Sequence, residues 1–205
     1  MKPGRLPILL AALLLAACGG VPAVPDYTWY RLPPAPEIAP AGEVFALPVV
    51  VGSFAADGLY ADQALIHALD ASGQRLRQYH YQLWVDPPGR MLQRRLIARL
   101  RDAALAPLVT DELAAGAPAL RIRGVILRME RVPDGQGGTL AVVALKLRVD
   151  AADRRPLVDQ VYRAEVRATD GSLGATVAAM GTAIDELFAR FQADLVRHAD
   201  QADAP

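Results

Sequence analysis

The chain has 205 residues, 53% of them apolar, which is enough for one domain with a hydrophobic core and excludes a disordered chain. Its 22 basic residues balance 22 acidic residues, so the zero net charge offers no footprint for nucleic acid. The single cysteine, Cys18, excludes an intramolecular disulfide.

The first residues have the pattern of an export signal. Lys2 and Arg5 precede an apolar run from Leu6 to Leu15, and small residues follow it. A helix needs about 20 apolar residues to cross a bilayer, so this run is too short for a mature transmembrane segment. We therefore predict that residues 1–17 are a lipoprotein signal peptide that takes no part in the fold.

The cysteine that follows predicts a lipid anchor. The tetrad Leu-Ala-Ala-Cys ends at Cys18 and has the pattern at which bacterial lipoproteins are acylated and cleaved. Cys18 is thus the predicted lipid-attachment residue; the alternative is a signal peptide with an incidental cysteine. Two or more acyl chains would hold the protein firmly on a membrane. By resemblance to bacterial lipoproteins generally, Gly19 after the cysteine favours the outer membrane over the inner one.

Residues 18–43 are predicted to be the lipidated N-terminus and a Pro/Ala-rich tether that contains one short strand. The strand is indicated by Tyr27, Trp29 and Arg31, which alternate with a second set of side chains. We expect Trp29 to dock on the domain like a residue of an edge strand; the alternative is a place among lipid headgroups.

Residues 44–199 are predicted to form the folded domain, and residues 200–205 a disordered tail. Apolar runs and period-two alternation predict strands at 45–54, 64–69, 75–85 and 120–132, then two more that complete an antiparallel meander up to about residue 167. A β-bulge is expected beside Gly124. Helices are predicted from Gly89 to Leu105 and after Asp170. The predicted fold class is α/β of the α+β kind: a single mixed, mostly antiparallel sheet with two principal helices packed on it.

The sequence offers little chemistry. The histidines are His67, His80 and His198; none has a partner at metal-ligand spacing, and His80 is better explained by packing than by general-base catalysis. The glycine-rich stretch 134–138 joins strand to strand, so we interpret it as a hairpin turn and not as a phosphate loop. We therefore predict no enzyme, no catalytic residue, no metal and no cofactor.

Arginines crowd the first predicted helix and the outward face of the meander. A solvated polar face is the simpler interpretation, and a basic face toward anionic lipids or an acidic partner is the alternative. The residues concerned are Arg90, Arg94, Arg95, Arg99 and Arg101 on the helix, and Arg121, Arg123, Arg128, Lys146, Arg148, Arg163 and Arg167 on the meander.

The most informative stretch is the junction between the aromatic strand and the first helix. Two consecutive prolines must end the strand, because neither can donate a backbone hydrogen bond. We expect the aromatic side chains beside this rigid corner to be accessible to a partner. The candidate partner contact consists of Tyr79, Tyr81, Trp84, Pro87 and Pro88.

Together the tetrad at Cys18, the early strand at 30–32, the aromatic strand ending at Trp84, the Pro87–Pro88 stop and the following Met-Leu resemble the bacterial ABC-type transport auxiliary lipoproteins, the group that includes PqiC. The likeness covers nearly all the mature chain. Valine after Trp84 departs from the small residue expected there.

The resemblance implies an outer-membrane lipoprotein that faces the periplasm. Its implied partners are an MCE-domain protein and an ABC permease and ATPase, in the transport of lipids or other hydrophobic molecules between membranes. It also implies an α/β fold. The sequence does not decide whether the protein forms a homo-oligomer. The alternative function is an envelope lipoprotein that scaffolds or regulates a periplasmic enzyme complex.

Overall fold

The computed structural model describes residues 26–199. The predicted signal peptide, Cys18, Gly19 and the tail at 200–205 lie outside the described residues. The described chain forms nine strands, two α-helices and a short 3-10 turn at Gly58–Tyr60. The strands are β1 (Thr28–Tyr30), β2 (Val49–Val51), β3 (Ala55–Ala56), β4 (Ala64–Ala68), β5 (Leu76–Trp84), β6 (Val109–Thr110), β7 (Leu120–Pro133), β8 (Thr139–Asp150) and β9 (Pro156–Arg167), and the helices are α1 (Pro88–Asp102) and α2 (Leu173–Arg197).

The long strand β7 is the spine of a single mixed sheet. One of its edges pairs with β8 along its whole length, and β8 pairs with β9, which gives the predicted antiparallel meander. Its other edge is shared by three short parallel strands, β2, β3 and β4. Beyond β4 the sheet continues through β5 to β1, and beyond β2 it ends at β6. The predicted fold class is confirmed.

Both helices pack on one face of this sheet. The α1 leucines Leu92, Leu96 and Leu100 are buried, and so is the apolar stripe of α2 from Val177 to Leu195. Ser172 caps α2, because its hydroxyl accepts a hydrogen bond from the Ala175 amide at 3.1 Å. Each fully buried side chain of this size contributes about 1.5–3 kcal/mol, so this layer supplies much of the stability.

The β-bulge of β7 lies farther along the chain than predicted. The register with β8 shifts between Ile126 and Arg128, which leaves Leu127 39% exposed. Glycine is required at position 124 for packing and not for the bulge, because a Cβ there would overlap the ring of Phe54. That ring is buried and makes an edge contact with Phe188 of α2 at 6.2 Å between centroids.

The described part of the predicted tether packs on the domain. Residues 31–44, which we call the strap, cross both helices after β1. Pro33 lies against Gly181 of α2, where a Cβ would be 2.6 Å from the Pro33 ring. The Pro33 carbonyl accepts a 2.7 Å hydrogen bond from Arg95 of α1, and the Ala41 amide donates to the carbonyl of the residue after α1 at 2.9 Å. A tether therefore remains a prediction only for the residues before 26.

Candidate contact surface

The junction between β5 and α1 is built for packing. Pro87 is the N-cap, with an extended ψ of 136°, and Pro88 is the first helical residue. Proline suits that position because its missing amide would have had no partner inside the helix. The Pro87 carbonyl accepts the first hydrogen bonds of the helix, from the backbone amides of Arg90 and Met91 at 3.0 and 3.2 Å. Gly89 follows because a Cβ there would overlap the Phe54 carbonyl.

Two of the five predicted contact residues are in the core. Trp84 is 2% exposed and Pro88 is buried, whereas Tyr79 and Pro87 are half-buried. The reason is a register shift between β4 and β5: Ile66 pairs with Gln78 and Ala64 with Leu83, so strict alternation along β5 breaks. The shift turns the indole inward, and the predicted surface is corrected accordingly. Tyr81, at 36% exposure, is the one ring of the set that is freely exposed.

Tyr81 belongs to a larger aromatic surface that β1 completes. Tyr27 is 59% exposed and Trp29 is 52% exposed, and the ring of Tyr27 meets that of Tyr81 edge-on at 5.5 Å. We call these three side chains the aromatic edge. The strand docks as predicted, but the Trp29 indole points away from the core, which sequence alternation alone could not decide.

The aromatic edge is held in place from its inner side. Tyr30 and Leu32 pack against the main core, and the Val85 amide donates to the Tyr30 carbonyl at 3.0 Å. Gln63 secures the neighbouring end of β5 by donating to the carbonyls of Trp84 and Val85 at 3.2 and 3.0 Å. The three exposed rings therefore stand on a fixed backbone.

Within residues 26–199, β1 pairs with β5 alone, so its outer edge is unpaired. Such an edge offers backbone donors and acceptors to an added strand. Tyrosine and tryptophan are enriched at protein interfaces, because they bury a large area and keep a polar handle. The arrangement can bind a chain or a membrane surface.

Some arginines of α1 hold the domain together, whereas Arg90 and Arg94 are exposed, as the solvated-face interpretation predicts. Arg95 makes a two-bond ion pair with Asp185 of α2, at 2.7 and 2.6 Å, and its side chain is only 9% exposed. Arg99 donates to the Gln192 side chain at 2.8 Å, and Arg101 to the Val109 carbonyl at 2.7 Å.

The outward face of the meander is a network of ion pairs around one large groove. The groove has a volume of about 760 Å³, and four arginines and one carboxylate lie on its walls. Arg123 and Arg148 both bond to Asp150, and Arg148 and Lys146 both reach Asp159. Much of the positive charge on this face is thus internally balanced.

Among residues 26–199 no group of three His, Cys, Asp or Glu side chains could hold a metal ion. His80 is exposed beside Tyr81, which corrects the packing interpretation.

The buried hydroxyl of Tyr162 donates to Asp194 at 2.6 Å. Burial is the main cause that raises the pKa of Tyr162, and this hydrogen bond is the second. The pair is a structural link between β9 and α2. No helix in this part of the chain is long and apolar enough to span a membrane.

Known structures share this fold. A crystallised protein from Xanthomonas campestris superposes with a TM-score of 0.73 at 16% identity, covering 85% of this chain and 98% of its own. A hypothetical protein from Chlamydia trachomatis gives a TM-score of 0.52 at 13% identity, covering 75% of this chain and 98% of its own. At such identities the likeness shows the fold alone. No curated protein matches the sequence.

The family is shown by a sequence model. The model described as "ABC-type transport auxiliary lipoprotein component" matches residues 30–191, from the end of β1 almost to the end of α2. This confirms the resemblance found in the sequence. The match associates the chain with ABC transport systems and with a membrane-anchored place in the cell envelope. This chain belongs to the ABC-type transport auxiliary lipoproteins.

Proposed function

We propose that the protein is a non-catalytic outer-membrane component of an MCE/ABC-type system that moves lipids or other hydrophobic molecules between membranes. Its partners are an MCE-domain protein, an ABC permease and an ATPase, which supplies the energy. The family match supports the transport role. Cys18 supports the anchor, because it is the only cysteine that could carry the acyl chains of a lipoprotein. Gly19 supports the outer membrane.

We propose the aromatic edge as the contact surface for a partner protein, in place of the predicted corner around Trp84. The observation that carries this proposal is the exposure of Tyr27 and Trp29 at β1, whose outer edge is unpaired among the described residues, and of Tyr81 on the adjacent strand β5. A partner segment would pair with the backbone of β1 and cover the rings, which would bury apolar area and satisfy the free edge together.

The position of the edge along the chain agrees with this role. Tyr27 follows Cys18 by nine residues, and an extended chain spans at most about 3.5 Å per residue, so the edge stays within about 30 Å of the acyl chains. A partner must therefore approach the membrane that holds the anchor. Direct contact of the edge with lipid headgroups is the competing outcome of the test.

The test is crosslinking in cells that express the full-length lipoprotein, followed by mass spectrometry of the captured proteins. Capture of an MCE-domain protein or a permease supports the proposal. Capture of cell-wall enzymes without any transport subunit contradicts it and favours the scaffolding alternative. Crosslinks between copies of the chain would establish a homo-oligomer.

Two variants locate the contact. Trp29→Lys places a charge on the aromatic edge and is expected to reduce partner capture at least tenfold. Val161→Lys is the matched control, because Val161 is 48% exposed on the opposite edge strand, β9. Cys18→Ser should release the protein from the membrane, which tests the anchor separately from the contact.

A further inference from the structure

A second candidate site lies at the end of the sheet where β4, β7 and β8 meet. A cavity of about 430 Å³ opens there, lined by His67, Arg131 and Thr139 and by the glycines of the turn between β7 and β8. His67 and Arg131 are register neighbours on adjacent parallel strands. The aromatic edge does not include these residues, and the proposed function makes no use of them.

Among residues 26–199, Arg131 has no carboxylate partner. Its guanidinium donates to the Tyr79 hydroxyl at 3.0 Å, to the Thr139 hydroxyl at 3.2 Å and to the Gly171 carbonyl at 3.0 Å, all of them neutral groups. Its Nε is shielded from solvent and has no hydrogen-bond partner. A half-buried cation surrounded by neutral acceptors is costly, so a negative charge nearby would stabilise it.

Two other arginines that are at least partly buried do have such partners. Arg95 pairs with Asp185, and Arg128 pairs with the fully buried Glu130. Arg131 lacks the counter-charge that Arg95 and Arg128 have. Arg99 also lacks a direct carboxylate partner, but it donates to Gln192 and the charge of Asp185 acts on it.

His67 adds a second group that responds to negative charge. Its ring lies on that of Tyr79, with 4.4 Å between centroids, and its Nδ1 is buried without a partner. Burial, and then the charges of Arg131 and Arg77, lower the pKa of His67. No carboxylate is among the groups that act on this ring.

The nearby turn supplies the wall of the cavity and no neutralising charge. It is a hairpin, as predicted, with Gly135 and Gly137 at positive φ of 76° and 89°. Asp134, the carboxylate of this turn, accepts from the amides of Gln136 and Gly138 and pairs with Arg167 of β9. Glu130, next to Arg131 in sequence, pairs with Arg128. Both carboxylates thus already have a cationic partner other than Arg131.

We propose that this cavity, which we call the His67–Arg131 pocket, binds an oxyanion: a phosphate or carboxylate group carried by a small solute or by a lipid headgroup. The anion would neutralise Arg131 and accept hydrogen bonds from the Thr139 hydroxyl and the His67 ring. Charge-assisted bonds of this kind are stronger than those between neutral groups. The volume leaves room for the part of the molecule that carries the anion.

Histidine NMR tests the pocket directly, because the chain has only three histidines. The signals are assigned with His80→Gln and His198→Gln, and inorganic phosphate is titrated at constant ionic strength into the protein carrying Cys18→Ser. We expect a saturable shift of the His67 signal and a higher titration midpoint of His67 at saturation, because an anion stabilises the imidazolium.

Arg131→Gln should abolish the saturable shift, whereas Arg75→Gln should retain it, since Arg75 is exposed and pairs with Asp70 at the β4–β5 turn. If Arg131→Gln does not fold, His67→Phe replaces it, and phosphate should then raise the melting temperature of the parent protein alone. A linear, unsaturable shift, or an equal one in Arg131→Gln, would overturn the proposal. Glycerol 3-phosphate and a short-chain phosphatidic acid, compared with phosphate, show which source of the anion binds more tightly.

Discussion

Two outer strands of this sheet, β1 and β9, differ in how they are protected. β9 is 12 residues long and presents alternating charges, including Asp159, Arg163 and Glu165. A side chain of α2 also covers it, because Arg190 donates to the Arg163 carbonyl. β1 is only three residues long, carries aromatic rings and, in the described chain, has no cover.

The difference supports the proposal that β1 is the edge available for binding. Long exposed edges invite unwanted pairing, and proteins protect them with charges and covering side chains, as β9 does. A short edge with large rings has no such protection and gains contact area instead. We infer that the charges of β9 and the covering Arg190 side chain prevent this strand from pairing with a second copy of the chain. The edge of β1 remains available to a partner.

The largest expected effect separates the two tryptophans near β1. Trp84→Ala should lower the free energy of unfolding by about 4 kcal/mol, because it empties a buried site. Trp29→Ala should change the free energy by less than about 0.5 kcal/mol, because that indole faces solvent. Urea unfolding of the two variants measures both values. Similar losses in both would mean that Trp29 is part of the core and that the edge is not free.

The second prediction concerns the ion pair that holds the strap behind β1. Arg95→Ala should cost about 3 kcal/mol, because it leaves Asp185 and the Pro33 carbonyl without their shared donor. The double variant Arg95→Met with Asp185→Leu should recover much of this loss. Chemical denaturation provides the comparison. If the double variant is no more stable than Arg95→Ala, the lost contact with the strap, and not the unpaired charge of Asp185, is the main cause of the destabilisation.

A smaller effect is expected where the strap touches α2. Gly181→Val should lower stability by about 2 kcal/mol, because its side chain would occupy the place of Pro33. Hydrogen exchange should become faster in the strap and in β1, but not in β9. Uniformly faster exchange would argue that the strap folds as one unit with the whole sheet.

The fourth prediction is a dependence on pH. Since burial and two arginines lower the pKa of His67, its neutral form is favoured by folding. This contribution to stability is complete above the ordinary value of 6.5 and is lost as pH falls below it. In phosphate-free buffer, the melting temperature of His67→Phe should therefore fall less between pH 7.5 and 5.5 than that of the unsubstituted chain. An equal fall in melting temperature in both proteins would show that the His67 ring is solvated in the folded state.

The smallest effect on stability should come from removing the charges of β9. Arg163→Val combined with Glu165→Val should change the free energy of unfolding by less than about 1 kcal/mol, since both residues are exposed. Self-association measured by sedimentation should nevertheless increase, because the edge loses its charges. An unchanged sedimentation profile would mean that Arg190 alone protects β9.

Local patterns predicted much of this fold. The meander, the capped α2 and the Pro-Pro junction follow from alternation, helical periodicity and proline chemistry, which act over a few residues. The strap was missed, because a Pro/Ala-rich segment docks only where distant residues such as Gly181 and Arg95 receive it.

The candidate site was predicted in part for the same reason. Tyr81 was identified, but the burial of Trp84 depends on a register shift between two strands, which composition does not reveal. Trp29 was correctly placed on an edge strand, and the direction of its ring depends on which face meets the core. The unpaired charge of Arg131 becomes visible only when all its neighbours are known.

The most direct test of the contact proposal places one photo-crosslinking amino acid at position 29 and, in a separate variant, at position 161. The two side chains are nearly equally exposed, at 52% and 48%, and lie on opposite edges of the sheet. In cells expressing the full-length lipoprotein, we expect position 29 to capture a transport subunit and position 161 to capture none. Equal capture at both positions, or capture of lipid alone at position 29, would contradict the proposal that β1 is the partner-binding edge.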